Sequence, residues 1–393
     1  MTIDPAAPVL DRARALAEDV TLRGVERWKR VNPGRLAVGY MPIYAPRPLL
    51  EAIGCLPVAI FGAGDSLDVI RGDSYFQSYI CRIPRSTIEL ALGGHFAALD
   101  GMLFPSICDV IRNLGGMFKL LFPDLYTSYL DLPQNFDREV GGKFFALELR
   151  RIARELRERG ALPLEPDRLR AAIDTENARR RALARLDSVR QREPWRLRAT
   201  EAYLAVRAGA ALEAAAHTEL LEELLAFVER RPARVVDNVR VVLAGSFCEQ
   251  PPFDLIVALE KAGCDIVDDD FQLGLRMIEG DIVVGPDENP VDALARAYLE
   301  RGRATASRYI ANEEKGAKLV QTVRDCNADG VIFAAASFCD PALLDQPMLE
   351  AALRTAGIPH TSFKFSENTG QFQVIREQAG AFSDAVKLWG AAS

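Results

Sequence analysis

The chain has 393 residues, of which 49% are hydrophobic and 26% charged, with a formal net charge of -7. That is room for two or three domains of a soluble globular protein, and the acidic balance argues against nucleic acid or an anionic membrane as partner. No run of about 18 or more uncharged apolar residues marks a membrane span. The start, Met1 to Pro8, lacks the basic segment and apolar core of a secretory signal, so a cytoplasmic location is expected.

Residues 9–31 set apolar among charged positions at helical spacing, and Asn32, Pro33 and Gly34 form a stop signal, so one helix is expected there. Residues 36–41 read as a buried strand, 49–53 as a helix and 56–61 as a second strand. This β-α-β start predicts a parallel sheet with right-handed crossovers. The segments around Cys81 and Cys108 each read as strand, cysteine loop and helix, and extend the unit to about residue 125. Residues 61–66 are glycine-rich but lack the third glycine of a dinucleotide fingerprint, and read as a turn.

From about Gly141 to Arg234 the composition shifts to Ala, Leu, Arg and Glu, with helical patterns over 147–159, 167–190 and 201–230. The charge runs there read as solvated helix faces. Strands resume at 239–245 and 264–270, with a helix at 253–261 between them. A helix at 316–327, a strand at 330–338, a helix at 343–355, a strand at 358–365 and a last helix at 371–389 complete a second unit. The expected fold is α/β, with two Rossmann-like parallel-sheet domains, a helical insert and an N-terminal helix. Its divisions are an N-terminal helical segment at 1–34, a first α/β domain at 35–140, the insert at 141–234 and a second α/β domain at 235–393.

The seven cysteines are scattered rather than set in a compact disulfide framework, which points to free, metal-binding or catalytic thiols. His95, His217 and His360 are the only histidines, a poor supply for an imidazole-built metal site, and each reads as structural. Cys55, Cys264 and Cys326 fall between a helix and the next strand, away from the ligand crevice of an open α/β sheet. They read as small buried hydrophobes. Cys81, Cys108, Cys248 and Cys339 fall between a strand and the next helix, at the carboxyl edge, two from each half. Soft thiolates suit iron–sulfur chemistry, and a helix N-terminus beside each favours the thiolate. The spacing is not a compact C-x-x-C run, so four unrelated buried cysteines are the alternative. There is no G-x-x-x-x-G-K-[ST] and hence no P-loop. Asp268, Asp269 and Asp270 read either as a hard-cation site or as a solvated turn.

Several stretches are similar to the benzoyl-CoA reductase / 2-hydroxyacyl-CoA dehydratase family in its cluster-bearing subunits. They are residues 34–40 and 51–57, then Cys81-Arg-Ile-Pro-Arg-Ser86, Pro105-Ser-Ile-Cys-Asp109, Gly245-Ser246, Asp268-Asp269 and Phe338-Cys-Asp-Pro341. Within the family, residues 365–380 look most like the benzoyl-CoA reductases, and the length suggests the smaller of the two cluster-bearing subunits. The resemblance implies a 4Fe–4S-type iron–sulfur cluster held by Cys81, Cys108 and Cys339, with the fourth iron lacking a protein thiolate and Cys248 not ligating. It implies a homologous cluster-bearing partner subunit, an ATP-hydrolysing activator, reduced ferredoxin as donor and an aromatic acyl-CoA as substrate. The activity expected from it is ATP-dependent dearomatisation of benzoyl-CoA to a cyclic dienoyl-CoA. A 2-hydroxyacyl-CoA dehydratase subunit that recycles its electron is the alternative, and a non-catalytic two-domain scaffold a further one. The loops at 40–44 and 76–83 are expected to wall the reaction cleft.

Overall fold

The computed structural model describes residues 4–389 apart from 65, 233, 272–276, 309–313 and 367–371. Among them are eight strands: β1 (Ala37–Tyr40), β2 (Leu56–Ala59), β3 (Gly101–Pro105), β4 (Tyr126–Leu130), β5 (Val239–Ala244), β6 (Cys264–Asp269), β7 (Gly330–Ala336) and β8 (His360–Phe365). They form two four-stranded sheets, in the orders β2-β1-β3-β4 and β6-β5-β7-β8. Every pairing is parallel. The expected pair of Rossmann-like α/β units is therefore present.

Burial explains which segments became strands. β1, β3 and β7 are buried along their whole length, as strands covered on both faces must be. β4 alternates buried and half-buried positions at the sheet edge. This short strand carries Thr127, Ser128 and Tyr129 and is absent from the expected elements, as is the helix Pro290–Arg301.

The first helical segment is two helices, Ala7–Ala17 and Arg23–Val31, rather than one. The Asp19 carboxylate accepts from the amides of Arg23 and Gly24 at 3.1 and 2.6 Å, which caps a new helix, while Leu22 turns with φ of 59°. The run expected over 201–230 is likewise divided, into Ala199–Ala208 and Ala214–Val228. Gly209 stands at the break, so close to His217 that a Cβ would lie 2.2 Å from the ring.

The helix Pro166–Arg192 departs most from its expected role. Its 27 residues span about 40 Å, and Glu176, Arg179, Arg180 and Arg190 on it are buried rather than solvated. Asn177 exchanges two hydrogen bonds with the Ile282 backbone at 2.9 and 2.8 Å. Arg180 donates to the Gly280 carbonyl at 2.9 and 2.7 Å. At its far end Arg190 meets Asp269 at 2.6 Å. The helix is a strut fastened to the second half through buried polar groups. Among the described residues, no helix is long and apolar enough to cross a membrane.

Candidate functional site

In each sheet the chain runs from the first strand to one side and then crosses to the other. The switch points therefore lie between β1 and β3, and between β5 and β7. Cys108 follows β3 and is the N-cap of the helix Asp109–Leu121. Cys339 follows β7 and is the N-cap of the helix Asp340–Thr355. Cys248 is in the loop between β5 and the helix Phe253–Lys261, and is buried. Cys81 is the N-cap of the helix Arg82–Leu92, but among the described residues no strand lies between β2 and it. A short 3-10 turn at Gly72–Tyr75 and an irregular loop lead to it instead. Tyr79 in that stretch is 61% exposed, so the segment has no buried face to stabilise a strand.

All seven cysteines are free. Cys55, Cys264 and Cys326 are buried, each where a helix gives way to the next strand and away from the switch points, and the Cys326 thiol donates to Asp268 at 3.5 Å. The other four act on one another electrostatically. Burial raises each of them, Cys339 to about 12. After burial, Cys81 is raised by the negative charges of Glu249, Cys339 and Cys108, and Cys248 by those of Cys108, Cys339 and Cys81. The first-turn amides of Ile111 and Val110 oppose the rise at Cys108, and that of Ala342 opposes it at Cys339. Thiols from both halves thus share one electrostatic environment at the facing carboxyl edges. Buried thiols that oppose one another's ionisation stay protonated unless a cation takes the place of the protons.

Among the described residues, no three His, Cys, Asp or Glu side chains are arranged to hold a single metal ion. An iron–sulfur cluster makes a different demand, because each thiolate binds a separate iron of an extended core. Free thiols at three helix N-caps, Cys339 buried and Cys81 and Cys108 half-buried, are the donor set such a cluster takes. The residues present fit it.

Neighbouring groups pin the site. Glu249 Oε2 accepts from the Ile83 amide at 3.4 Å, which joins the loop after β5 to the first turn of the Cys81 helix. The Gln250 side-chain amide donates to the carbonyls of Ser246 and Cys248, both at 3.0 Å. Gly245 (φ of 96°) and Ser246 donate their amides to Asp270, and the Ser246 hydroxyl donates to the Ala334 carbonyl. Asp268 and Asp269 are buried against Arg190, so the acidic run is neither a solvated turn nor a cation site: its carboxylates hold the strut and the β5 loop. His217 is fully buried, with Nε2 2.9 Å from the Ala205 carbonyl, and is structural as expected.

The loop after β1 does line a cavity, of about 80 Å³, with Tyr40, Tyr44, Phe61, Phe145 and Tyr298 among its walls. Tyr44 holds φ of 65° and its hydroxyl lies 2.8 Å from Thr305 Oγ1, across the two halves. Glu249, Gln250 and Tyr44 were not singled out from the sequence as polar groups of the site. The adjacency of Glu249 and Gln250 to Cys248 was the available signal.

Two parallel sheets whose carboxyl edges bring together thiols from both halves define the class, and the chain belongs to the 2-hydroxyglutaryl-CoA dehydratase D-component family, whose pattern matches residues 42–386. It is 46% identical over 384 residues to the C subunit of benzoyl-CoA reductase from Thauera aromatica, covering 98% of this chain and 99% of that protein. It is 26% identical to the (R)-phenyllactyl-CoA dehydratase beta subunit of Clostridium sporogenes, over 90% of this chain and 92% of that one. It is also 26% identical to the beta subunit of (R)-2-hydroxyglutaryl-CoA dehydratase from Acidaminococcus fermentans, over 90% and 93%.

Proposed function

We propose that this chain is the iron–sulfur subunit of an ATP-dependent benzoyl-CoA reductase, with Cys81, Cys108 and Cys339 holding a 4Fe–4S-type cluster. The observation that carries the reading is the convergence of free thiols at three helix N-caps from two sheets. The near full-length likeness to a reductase subunit supports the choice of reaction. Such a cluster supplies single electrons at low potential, which an aromatic ring demands because the first electron destroys its resonance. This chain's own residues bury Cys339 and half-bury Cys81 and Cys108, set the charge around them through Glu249, and wall an adjacent cavity with aromatic rings that exclude water.

The partners in this reading are a homologous cluster-bearing subunit, an ATP-hydrolysing activator and reduced ferredoxin, in the cytoplasm. The product is a cyclic dienoyl-CoA. The domain divisions at 34, 140 and 234 belong to the same proposal. Anaerobic co-expression with neighbouring subunits, followed by EPR and assay with benzoyl-CoA, tests it. Colourless, iron-free, folded protein would sink it.

The family name and the two dehydratase relatives favour one second reading, a 2-hydroxyacyl-CoA dehydratase subunit. Stoichiometry separates the two. A reductase consumes ATP and donor on every turnover, whereas a dehydratase needs catalytic amounts only.

A further inference from the structure

The resemblance to the cluster-bearing subunits leaves Cys248 idle, yet its surroundings are built as for a ligand. The residue is 6% exposed, in the loop that leaves the switch-point strand β5. That loop is fixed from every side. Asp270 accepts the amides of Gly245 and Ser246, the Ser246 hydroxyl donates to Ala334, and the Gln250 amide spans the carbonyls of Ser246, Phe247 and Cys248 at 3.0, 3.4 and 3.0 Å. The next residue, Glu249, is hydrogen-bonded to Ile83, two positions beyond Cys81. β7, which leads to Cys339, pairs directly with β5. Cys248 is therefore next in sequence to the residue that bonds the Cys81 helix, and it follows a strand that lies beside the one leading to Cys339.

We propose that Cys248 is the fourth thiolate of the iron–sulfur centre and closes the iron that the three-cysteine pattern leaves open. The inference rests on the cluster reading above. Ligation involves no change of oxidation state: the Cys248 S–H bond breaks, an iron–sulfur bond forms, and the proton goes to solvent. A centre saturated by four protein thiolates passes electrons without taking substrate on iron. This subunit is then an electron relay, and any chemistry requiring an open iron belongs to a different subunit.

The test uses the full chain loaded anaerobically with iron and sulfide. Wild type, Cys248→Ala and Cys248→Ser are compared for iron retained after mild ferricyanide oxidation, with EPR as the spectroscopic readout. Wild type is expected to keep its iron, and the variants to lose about one iron in four and give a three-iron signal. Cyanide, offered to the reduced wild-type centre as an exogenous iron ligand, is expected to leave its EPR spectrum unchanged. This measurement decides the question even if neither variant folds. Wild type that binds cyanide, or that loses one iron as readily as the variants, overturns the assignment and leaves the three-cysteine site standing. Folded wild type that takes up no cluster overturns both, and is told apart by its absent iron and sulfide.

Discussion

Glu249 and Ile83 are hydrogen-bonded across the two halves of the chain, carboxylate oxygen to backbone amide, at 3.4 Å. The bond puts a negative side chain at the first turn of the helix that Cys81 caps, and that charge raises both Cys81 and Cys339. The carboxylate thus holds two loops together and, on the proposed reading, opposes added electrons at a cluster bound there.

Glu249→Gln keeps the shape and removes the charge. Added electron density is then opposed less, so the reduction potential is expected to rise. A shift on the order of 30–60 mV, about a threefold to tenfold change in a one-electron equilibrium, is the scale for one partly screened charge. An EPR-monitored redox titration measures it. A lower or unchanged potential would mean that the carboxylate does not act on the centre.

Cys108→Ala and Cys326→Ala separate ligand from filler. The first is expected to abolish iron and sulfide uptake together with activity. The second removes a buried thiol that donates to Asp268 at 3.5 Å, and is expected to retain both at a stability loss of about 1 kcal/mol. Iron and sulfide analysis of the two purified variants decides, and full loading of Cys108→Ala would reject Cys108 as a ligand.

Arg190 is buried and meets Asp269 at 2.6 Å and Asp187 at 2.9 Å. Arg190→Met should cost about 3–5 kcal/mol, because it leaves buried carboxylates without their counter-ion. Urea denaturation gives the value. A loss below about 1 kcal/mol would show that water reaches the acids and that the strut's end is not sealed.

His217 is held neutral: burial, then the nearby Arg179 guanidinium, pushes it down to about 3. The unfolded chain has an ordinary histidine, so between about pH 6.5 and 3 it binds a proton that the folded protein refuses. The stability from this group is fully present above pH 6.5 and is lost as pH falls, at up to about 1.4 kcal/mol per pH unit. His217→Gln should flatten the decline in urea midpoint between pH 7 and 5. An identical slope would place the acid sensitivity elsewhere.

Much of the double sheet was legible because buried parallel strands are continuous apolar runs: the segment that became β7 can hardly be read otherwise. The edge rule also placed Cys108, Cys248 and Cys339 correctly, since a cysteine between strand and helix must lie at the carboxyl edge. β4 was lost because Thr127 and Ser128 blur the pattern of a short edge strand, and Asn289, which caps the helix starting at Pro290, was passed over. The strand expected before Cys81 failed because aromatic and β-prone residues form a strand only with a neighbour to pair. The buried arginines of Pro166–Arg192 were illegible for a different reason. Helical periodicity says which positions share a face but not what will cover that face, and residues 280–288 lie a hundred positions downstream.

The placement of Cys339 far along the chain, facing Cys81 and Cys108 from the other sheet, bears on how the protein is made. A ribosome that has released only the first sheet has released no complete cofactor site, and the strut still lacks Asp269 to close on. On the proposed reading, cluster insertion must wait until nearly the whole chain has emerged. Iron content then also reports that the two halves have closed correctly, and a truncated or misdocked chain would carry no cluster with which to reduce oxygen.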